Sequence, residues 1–398
     1  MVAAAVFSCT VTVSVQISKF LSQVLRHDPG RVGIALDDAG WIDVATLLAA
    51  CAAHGVPISR DGLAAIVASS DKQRFAFSPD GTRIRANQGH SIEVDLQLPP
   101  ARPGAWRSPI EPARRGKGPG QLRRIAIAEQ TLAAVDAGRY VNARNQIVGL
   151  QPAVEAAVSG SVLHELGEPL RAPARLEASD VAVTGESTIE ALIRIAARPG
   201  GHLACLSFAS ALHPGGSFLA GAQAQEESLA RSSALYPCLL RQPSHYARNR
   251  SHHSAYYLDL AVFSPHVPVF RDDDGGWLDR PLLASIVTCA APNVSALREQ
   301  GKLDAATVEA TLRRRAAFVL AIAAHHGVAR LVLGAWGAGV FDNDPAMVAD
   351  AFGALLEGPF TNIFAEVVFA IAGGSGQPNH DVFAERFART QSPISSAE

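Results

Sequence analysis

Residues 203–240, LACLSFASALHPGGSFLAGAQAQEESLARSSALYPCLL, leave this chain few ways to fold. The apolar run Leu203–Phe208 predicts a buried strand. His213-Pro214-Gly215-Gly216 breaks it, and after a small-residue loop Gln225-Glu226-Glu227 opens a helix. Glycines let a backbone pass close to a sugar or diphosphate where a Cβ would clash, and a helix start offers unpaired N–H groups. Acids delivered to the same cleft suit proton transfer at an anomeric carbon. Acids at a helix N-terminus also complement its dipole, so the pair alone leaves both readings open.

A second loop has matching chemistry. Gly334-Ala335-Trp336-Gly337-Ala338-Gly339-Val340-Phe341 follows an apolar run and precedes Asp344-Pro345, where a helix starts. Such a loop is placed to hold a diphosphate on backbone N–H groups. Around these loops the pattern alternates. Helices are predicted at 122–137, 303–326 and 346–356, and strands at Leu203–Phe208, 257–263, 283–288, 329–333 and 365–371. That order predicts an α/β sheet wrapped by helices, with the site at the strand C-termini. There is no internal repeat.

The run PGGSFLAGAQAQEESLARSSALYP resembles the signature of the microbial-type poly(ADP-ribose) glycohydrolases, which are macrodomains. IAEQTLAAVDAGRYV, SPHVPVFRDDDG, TCAAPN and LVLGAWGAGVFDNDP extend the resemblance over 122–390. It implies an α/β macrodomain, a mixed sheet wrapped by helices, that releases ADP-ribose with no metal or bound cofactor required. Carried onto this chain, it makes Glu227 the catalytic acid, with Glu226 beside it holding the ribose. It also implies ADP-ribose contacts from Gly215, Gly216, Ser217, Gln225, Gly337, Ala338, Gly339, Val340 and Phe341. Phe341 would press on the distal ribose. Phe369 would pack the adenine side or serve as a core aromatic, and Trp336 reads as core. Ser217 stands where the family usually has a third glycine and Ser207 where it usually has Asn, both expected near the distal ribose.

The first hundred residues read differently. Phe20, Leu21, Val24 and Leu25 follow helical rhythm up to a turn at Asp28-Pro29-Gly30. Helices are predicted at 44–54 and Arg60–Ala68. A hairpin around Pro79-Asp80-Gly81 completes a winged-helix-like α+β module. SKFLSQVLRH, DDAGWIDVATLL and DKQRFAFSPDGTRIRANQGHSIEVDL resemble the N-terminal RNA lobe of the KptA-type RNA 2′-phosphotransferases over 17–98. The resemblance implies that Arg26, His27 and Arg74 engage an RNA 2′-phosphate, with Arg83, Arg85 and His90 near the backbone. An Arg fork reads phosphate oxygens bidentately, which suits that role. In that family a second lobe carrying a Leu-Tyr-His-Gly-Thr motif binds NAD. No such motif follows Pro100.

The expected organisation is therefore an RNA-type lobe at 1–100, a Pro/Gly/Arg-rich linker at 101–121, a macrodomain at 122–390 and a tail at 391–398. Between 102 and 124 seven basic residues face one acid, a run open to either phosphate steering or plain solvation. The net charge of −2 argues against coating nucleic acid non-specifically, so any RNA contact must be focal. Five scattered cysteines without a CxxC pair read as reduced thiols in a cytoplasmic protein. Residues 1–16 are apolar but lack a basic n-region and are too short to span a bilayer, which predicts an extra strand or an upstream start codon, and no membrane partner. His245, His252 and His253 lack zinc-ligand spacing and predict a surface loop, and Asp272-Asp273-Asp274-Gly275-Gly276 predicts a turn. The expected function is an ADP-ribosyl hydrolase acting on ADP-ribose or an ADP-ribosylated macromolecule, with an RNA 2′-phosphate or phospho-ADP-ribose end as a candidate carrier. The alternatives are an NAD-using RNA 2′-phosphotransferase and a non-catalytic ADP-ribose reader.

Overall fold

A computed structural model describes residues 20–21, 24–25, 29–37, 40–68, 75–78, 80–86, 118–171 and 174–388. Arg26, His27, Arg74, His90, the 1–16 run, linker residues 101–117 and the 391–398 tail lie outside the described residues. The chain divides into two compact units, Met1–Glu111 and Pro112–Glu398.

In the first unit Phe20, Leu21, Val24 and Leu25 are helical, and the last three are fully buried. The helix Val44–Ala53 is capped by Asp43, whose carboxylate accepts the Thr46 N–H at 2.8 Å. It stops at Gly55, whose φ of +77° suits glycine. A second helix spans Arg60–Ala68. Strands β1 (Ile42–Asp43), β2 (Phe75–Phe77) and β3 (Arg83–Ala86) form an antiparallel sheet of order β1-β3-β2. Asp80 closes the predicted hairpin by accepting from Ser78 Oγ and the Thr82 N–H. Leu21, Val24, Leu25, Leu47, Leu63, Phe75 and Ile84 meet in the core.

The second unit opens with the helix Pro119–Ala137, three residues ahead of the expected start. A small hairpin, β4 (Arg139–Val141) and β5 (Ile147–Gly149), and the helix Gln151–Gly160 follow. The main sheet then receives β6 (Val162–Glu165), β7 (Asp180–Thr184), β8 (Leu203–Phe208), β9 (Leu260–Arg271), β10 (Trp277–Cys289), β11 (Arg330–Leu333) and β12 (Glu366–Ala370). Its order is β6-β9-β10-β8-β11-β12-β7. β6, β9 and β10 pair antiparallel, and β10, β8, β11, β12 and β7 run parallel. This is the α/β sheet wrapped by helices that the alternating pattern predicted, and it fits the macrodomain-like fold that the resemblance implies. The helices 305–325, 345–357 and 378–388 pack against the sheet around Phe352, Phe369, Phe383 and Phe387.

Three differences from the sequence reading have local causes. β9 and β10 run to 12 and 13 residues, about twice the predicted lengths. Pro265 and Pro268 interrupt the apolar signal of β9, and the outer half of β10, WLDRPLL, is partly exposed and mixed in polarity. β6 and β7 were not predicted because each has at most five residues, mostly half-buried or exposed. The HYARNRSHH run is no loop but the helix Pro243–His252, with Pro in its first turn and His245 fully buried. Among the described residues no helix is long and apolar enough to cross a membrane.

Candidate active site

All the loops at the C-terminal ends of the parallel strands converge on one cleft of about 760 Å³. Ser187 follows β7, Phe208, Ala209 and Ser210 adjoin the end of β8, Ala291 follows β10, Trp336 and Gly337 follow β11, and Ile371 follows β12. The volume and position match the general rule for ligand sites in α/β sheets.

The helix Gln225–Ser232 brings Glu226 and Glu227 to the cleft wall. Neither is freely solvated: Glu226 is 3% exposed and Glu227 9%. Glu226 Oε2 accepts the Ser210 N–H at 2.7 Å, with the N–H groups of Gly215 and Gly216 also directed at the carboxylate. Glu227 Oε1 accepts the Ser217 N–H at 3.0 Å. Burial holds the Glu226 carboxyl well above the ordinary range, and the neighbouring Glu227 charge pushes it the same way, against the donors. Glu226 Oε1 is buried and has no hydrogen-bond partner among the described residues.

The first glycine loop is organised around these acids. Gly215, Gly216 and Ser217 lie outside the cleft lining, and their backbone meets the two carboxylates. The absence of a Cβ at Gly216 makes room for the acids. The Gln225 side chain is held at both ends: its Nε2 amide donates to the Leu206 carbonyl at 2.8 Å and to Thr188 Oγ1 at 3.1 Å, while Oε1 accepts the Phe208 N–H at 2.8 Å. It faces the cleft but its amide is spent on pinning the helix start to β8. Ser207 is fully buried within β8, opposite Thr288 of β10, and not in the cleft.

The second glycine loop answers the expectation more directly. Gly337, Gly339, Val340 and Phe341 line the cleft, and their N–H groups have no backbone partner among the described residues. Ala338 differs: its N–H bonds the Ala335 carbonyl inside the loop, and it does not line the cleft. Asn343, which sequence reasoning missed, clips the loop by donating from Nδ2 to the carbonyls of Pro292 at 2.8 Å and Gly337 at 3.0 Å. Gly337 has φ +77° and no space for a Cβ beside Asn343 Nδ2 and Ala291. Val340 is 82% exposed at the rim. Phe369 is fully buried among Phe352, Phe383 and Phe387, so the core reading of that residue holds and the adenine one does not. Trp336 is buried, with its indole N–H bonded to the Cys289 carbonyl at 3.0 Å, though it also reaches the cleft.

The far wall was not foreseen. Ser187 caps the helix Thr188–Ala196 in a capping box with Glu190, and its hydroxyl also bonds Asp273 at the tip of the β9–β10 hairpin. The run Ser187-Thr188-Ile189-Glu190 carries that signal in the sequence. Arg231 is 5% exposed and shapes the loop before Gln225 by donating to the Ala222 carbonyl and Gln223 Oε1, both at 2.6 Å. Burial lowers its pKa to about 10. Among the described residues no group of three or more His, Cys, Asp and Glu side chains could hold a metal ion.

Comparison with known proteins gives two matches. The family model of the microbial-type PARG catalytic domain matches residues 128–272, and that of the RNA 2′-phosphotransferase Tpt1/KptA family matches residues 12–108. Among solved structures, the poly(ADP-ribose) glycohydrolase of Thermomonospora curvata is 45% identical, with a TM-score of 0.63, over 66% of this chain and 99% of that one. The same enzyme bound to the inhibitor ADP-HPD gives 44% and 0.61. The glycohydrolase of Deinococcus radiodurans in complex with ADP-ribose is 38% identical, with a TM-score of 0.56, over 60% of this chain and 98% of that one. A probable RNA 2′-phosphotransferase of Agrobacterium fabrum is 46% identical over 129 residues, 31% of this chain and 69% of that protein. One from Trichormus variabilis is 58% identical over 89 residues, 22% of this chain and 49% of that protein. The chain thus spans between about half and two thirds of these two relatives.

Proposed function

We propose that this chain, which belongs to the microbial-type poly(ADP-ribose) glycohydrolase family, is an ADP-ribosyl hydrolase acting through its second unit. The observation that carries the proposal is the pairing of two buried glutamates with a glycine loop that lines the same cleft and whose N–H groups have no backbone partner among the described residues. Gly337, Gly339, Val340 and Phe341 bind the diphosphate of the ligand through these donors. Glu227 gives its proton to the oxygen leaving C1″ while the bond from C1″ to that oxygen breaks. Water adds at C1″ and returns a proton to Glu227, leaving ADP-ribose and the freed hydroxyl or phosphate of the carrier. Glu226, whose carboxyl burial holds well above the ordinary range, sits beside Glu227 and holds the ribose.

For the first unit, we propose a winged-helix-like RNA-binding lobe that addresses the hydrolase to RNA ends bearing a 2′-phosphate or phospho-ADP-ribose, with Arg26, His27 and Arg74 on the phosphate. The match to the RNA 2′-phosphotransferase family model supports this reading, as do Arg83 and Arg85, which pack over Trp41 with guanidinium carbons 5.6 and 4.5 Å from its ring. No step through NAD is derived, since the residues after 100 carry no Leu-Tyr-His-Gly-Thr run.

The test is release of free ADP-ribose, without added NAD, from poly(ADP-ribose), mono-ADP-ribosylated protein and an RNA oligonucleotide with a phospho-ADP-ribose end. Release from any of the three supports the hydrolase. Binding of ADP-ribose with no release from all three sinks it in favour of a reader. A preference for the RNA substrate that disappears in Arg26→Ala assigns the first unit.

A further inference from the structure

Tyr246, on the helix Pro243–His252, is 2% exposed, and its hydroxyl is buried without a partner among the described residues. The chemistry proposed above makes no use of it. Its surroundings tie it to the acids. Arg250, one turn along the same helix and therefore on the same face, donates to the Leu212 carbonyl at 2.7 Å. The Leu212 N–H bonds Ser210 Oγ at 3.2 Å, and the Ser210 N–H holds Glu226 Oε2. The helix face that carries Tyr246 is thus the face packed on the loop that holds Glu226. Burial raises the phenol's pKa, and the nearby Glu226 charge adds to it ahead of Tyr236, with Arg250 acting in the opposite sense. Glu226 Oε1 is the complementary atom, since it too is buried and unpartnered. Buried polar atoms are nearly always paired, and two orphans in one poorly solvated region are natural partners.

We infer that Tyr246 is the positioning residue of Glu226, its hydroxyl linked to Oε1 across one bridging water. The inference rests on the hydrolase reading of the site. Because Oε2 already accepts the Ser210 N–H, Oε1 is the oxygen left for this bridge, and the water links it to Tyr246 Oη. The carboxyl plane is then fixed against rotation, and the ribose meets a carboxyl of defined orientation. Tyr246 touches no reacting atom; it acts through Glu226.

The test uses Tyr246→Phe in the full chain, with two readouts. The first is kinetic: kcat falls about tenfold while KM stays within about twofold, the loss expected of one hydrogen bond to an ionisable group that matters in the transition state. Adding Tyr246→Phe to Glu226→Gln costs little more than Glu226→Gln alone, because the two act as a unit. An unchanged kcat, or losses that simply add, overturns the inference. The second readout needs no turnover. Infrared difference spectra against Glu226→Gln identify the Glu226 carboxyl stretch, and in Tyr246→Phe that band moves to higher wavenumber as its hydrogen bond is lost. A band that does not move overturns the inference. The band shift in Tyr246→Phe together with a wild type that releases no ADP-ribose instead overturns the hydrolase reading.

Discussion

Gly216 makes room for Glu227. A Cβ built on Gly216 would stand 2.9 Å from Glu227 Cδ and 3.0 Å from Glu226 Oε2, at a φ of +61° that side chains rarely adopt. Gly216→Ala should therefore act on the acid before it acts on the fold. We expect a loss of at least about 100-fold in ADP-ribose release, in the range seen when an acid catalyst is displaced. The strain at positive φ adds a cost of about 1–2 kcal/mol in stability. Parallel turnover and thermal-unfolding measurements separate the two.

Glu227→Gln keeps the shape of the side chain and the acceptor for the Ser217 N–H but has no proton to give. Turnover should drop by about 10³-fold or more, the size of a general-acid contribution, with ADP-ribose affinity by calorimetry within about threefold of the wild type. Loss of turnover and binding together would make Glu227 structural.

Gln225→Leu removes two donated bonds and one accepted bond that fasten the Glu226–Glu227 helix to β8 and to Thr188. It leaves the Phe208 N–H and the Leu206 carbonyl without these partners. A destabilisation of about 2–4 kcal/mol is expected from these unpaired groups, read as a lowered denaturant midpoint. Because Gln225 positions rather than binds, the affinity for ADP-ribose in the fraction that remains folded should change little.

His245 predicts a pH effect on stability. Its ring is buried, both ring nitrogens lack partners among the described residues, and burial together with Arg248 and Arg315 brings its pKa down to about 4. The unfolded chain binds this proton near the ordinary histidine value of about 6.5, so between about 6.5 and 4 the unfolded state holds more protons than the folded one. The contribution of His245 is complete above pH 6.5 and is lost as the pH falls towards 4. It amounts to about 3 kcal/mol at most. Thermal melts from pH 7.5 to 4.5 should show this decline, and His245→Leu should flatten it. An identical slope in the variant would place the titration elsewhere.

Much of the second unit was legible because its signals are strong and local. Leu203–Phe208 is a continuous apolar run, and the structure gives that strand the same limits. The helix at Gln225 and the loop at 334–341 fall where the glycines and the Gln-Glu-Glu run put them. What the sequence hid was direction. Gly215, Gly216 and Ser217 and the amide of Gln225 look like ligand groups, yet they turn inward to carboxylates and strand backbone, because those buried groups also need partners. Tyr246 and Asn343 escaped notice because nothing in HYARNRSHH or VFDNDP signals a long-range contact. The loop expected at His245 failed for a simple reason: a polar composition suggests solvent, but an amphipathic helix needs only a few buried positions.

The two glycine loops leave the C-terminal ends of β8 and β11, which are hydrogen-bonded neighbours in the parallel part of the sheet, with Cys205 opposite Val332. The separation of the two points from which these loops spring is therefore set by a backbone ladder, not by the loops themselves. The protein carries a ruler. Loop residues can drift through substitution while the roots of the two loops stay fixed by rigid strand spacing, so that, on the proposed function, selectivity for the length of the ligand becomes a property of the sheet.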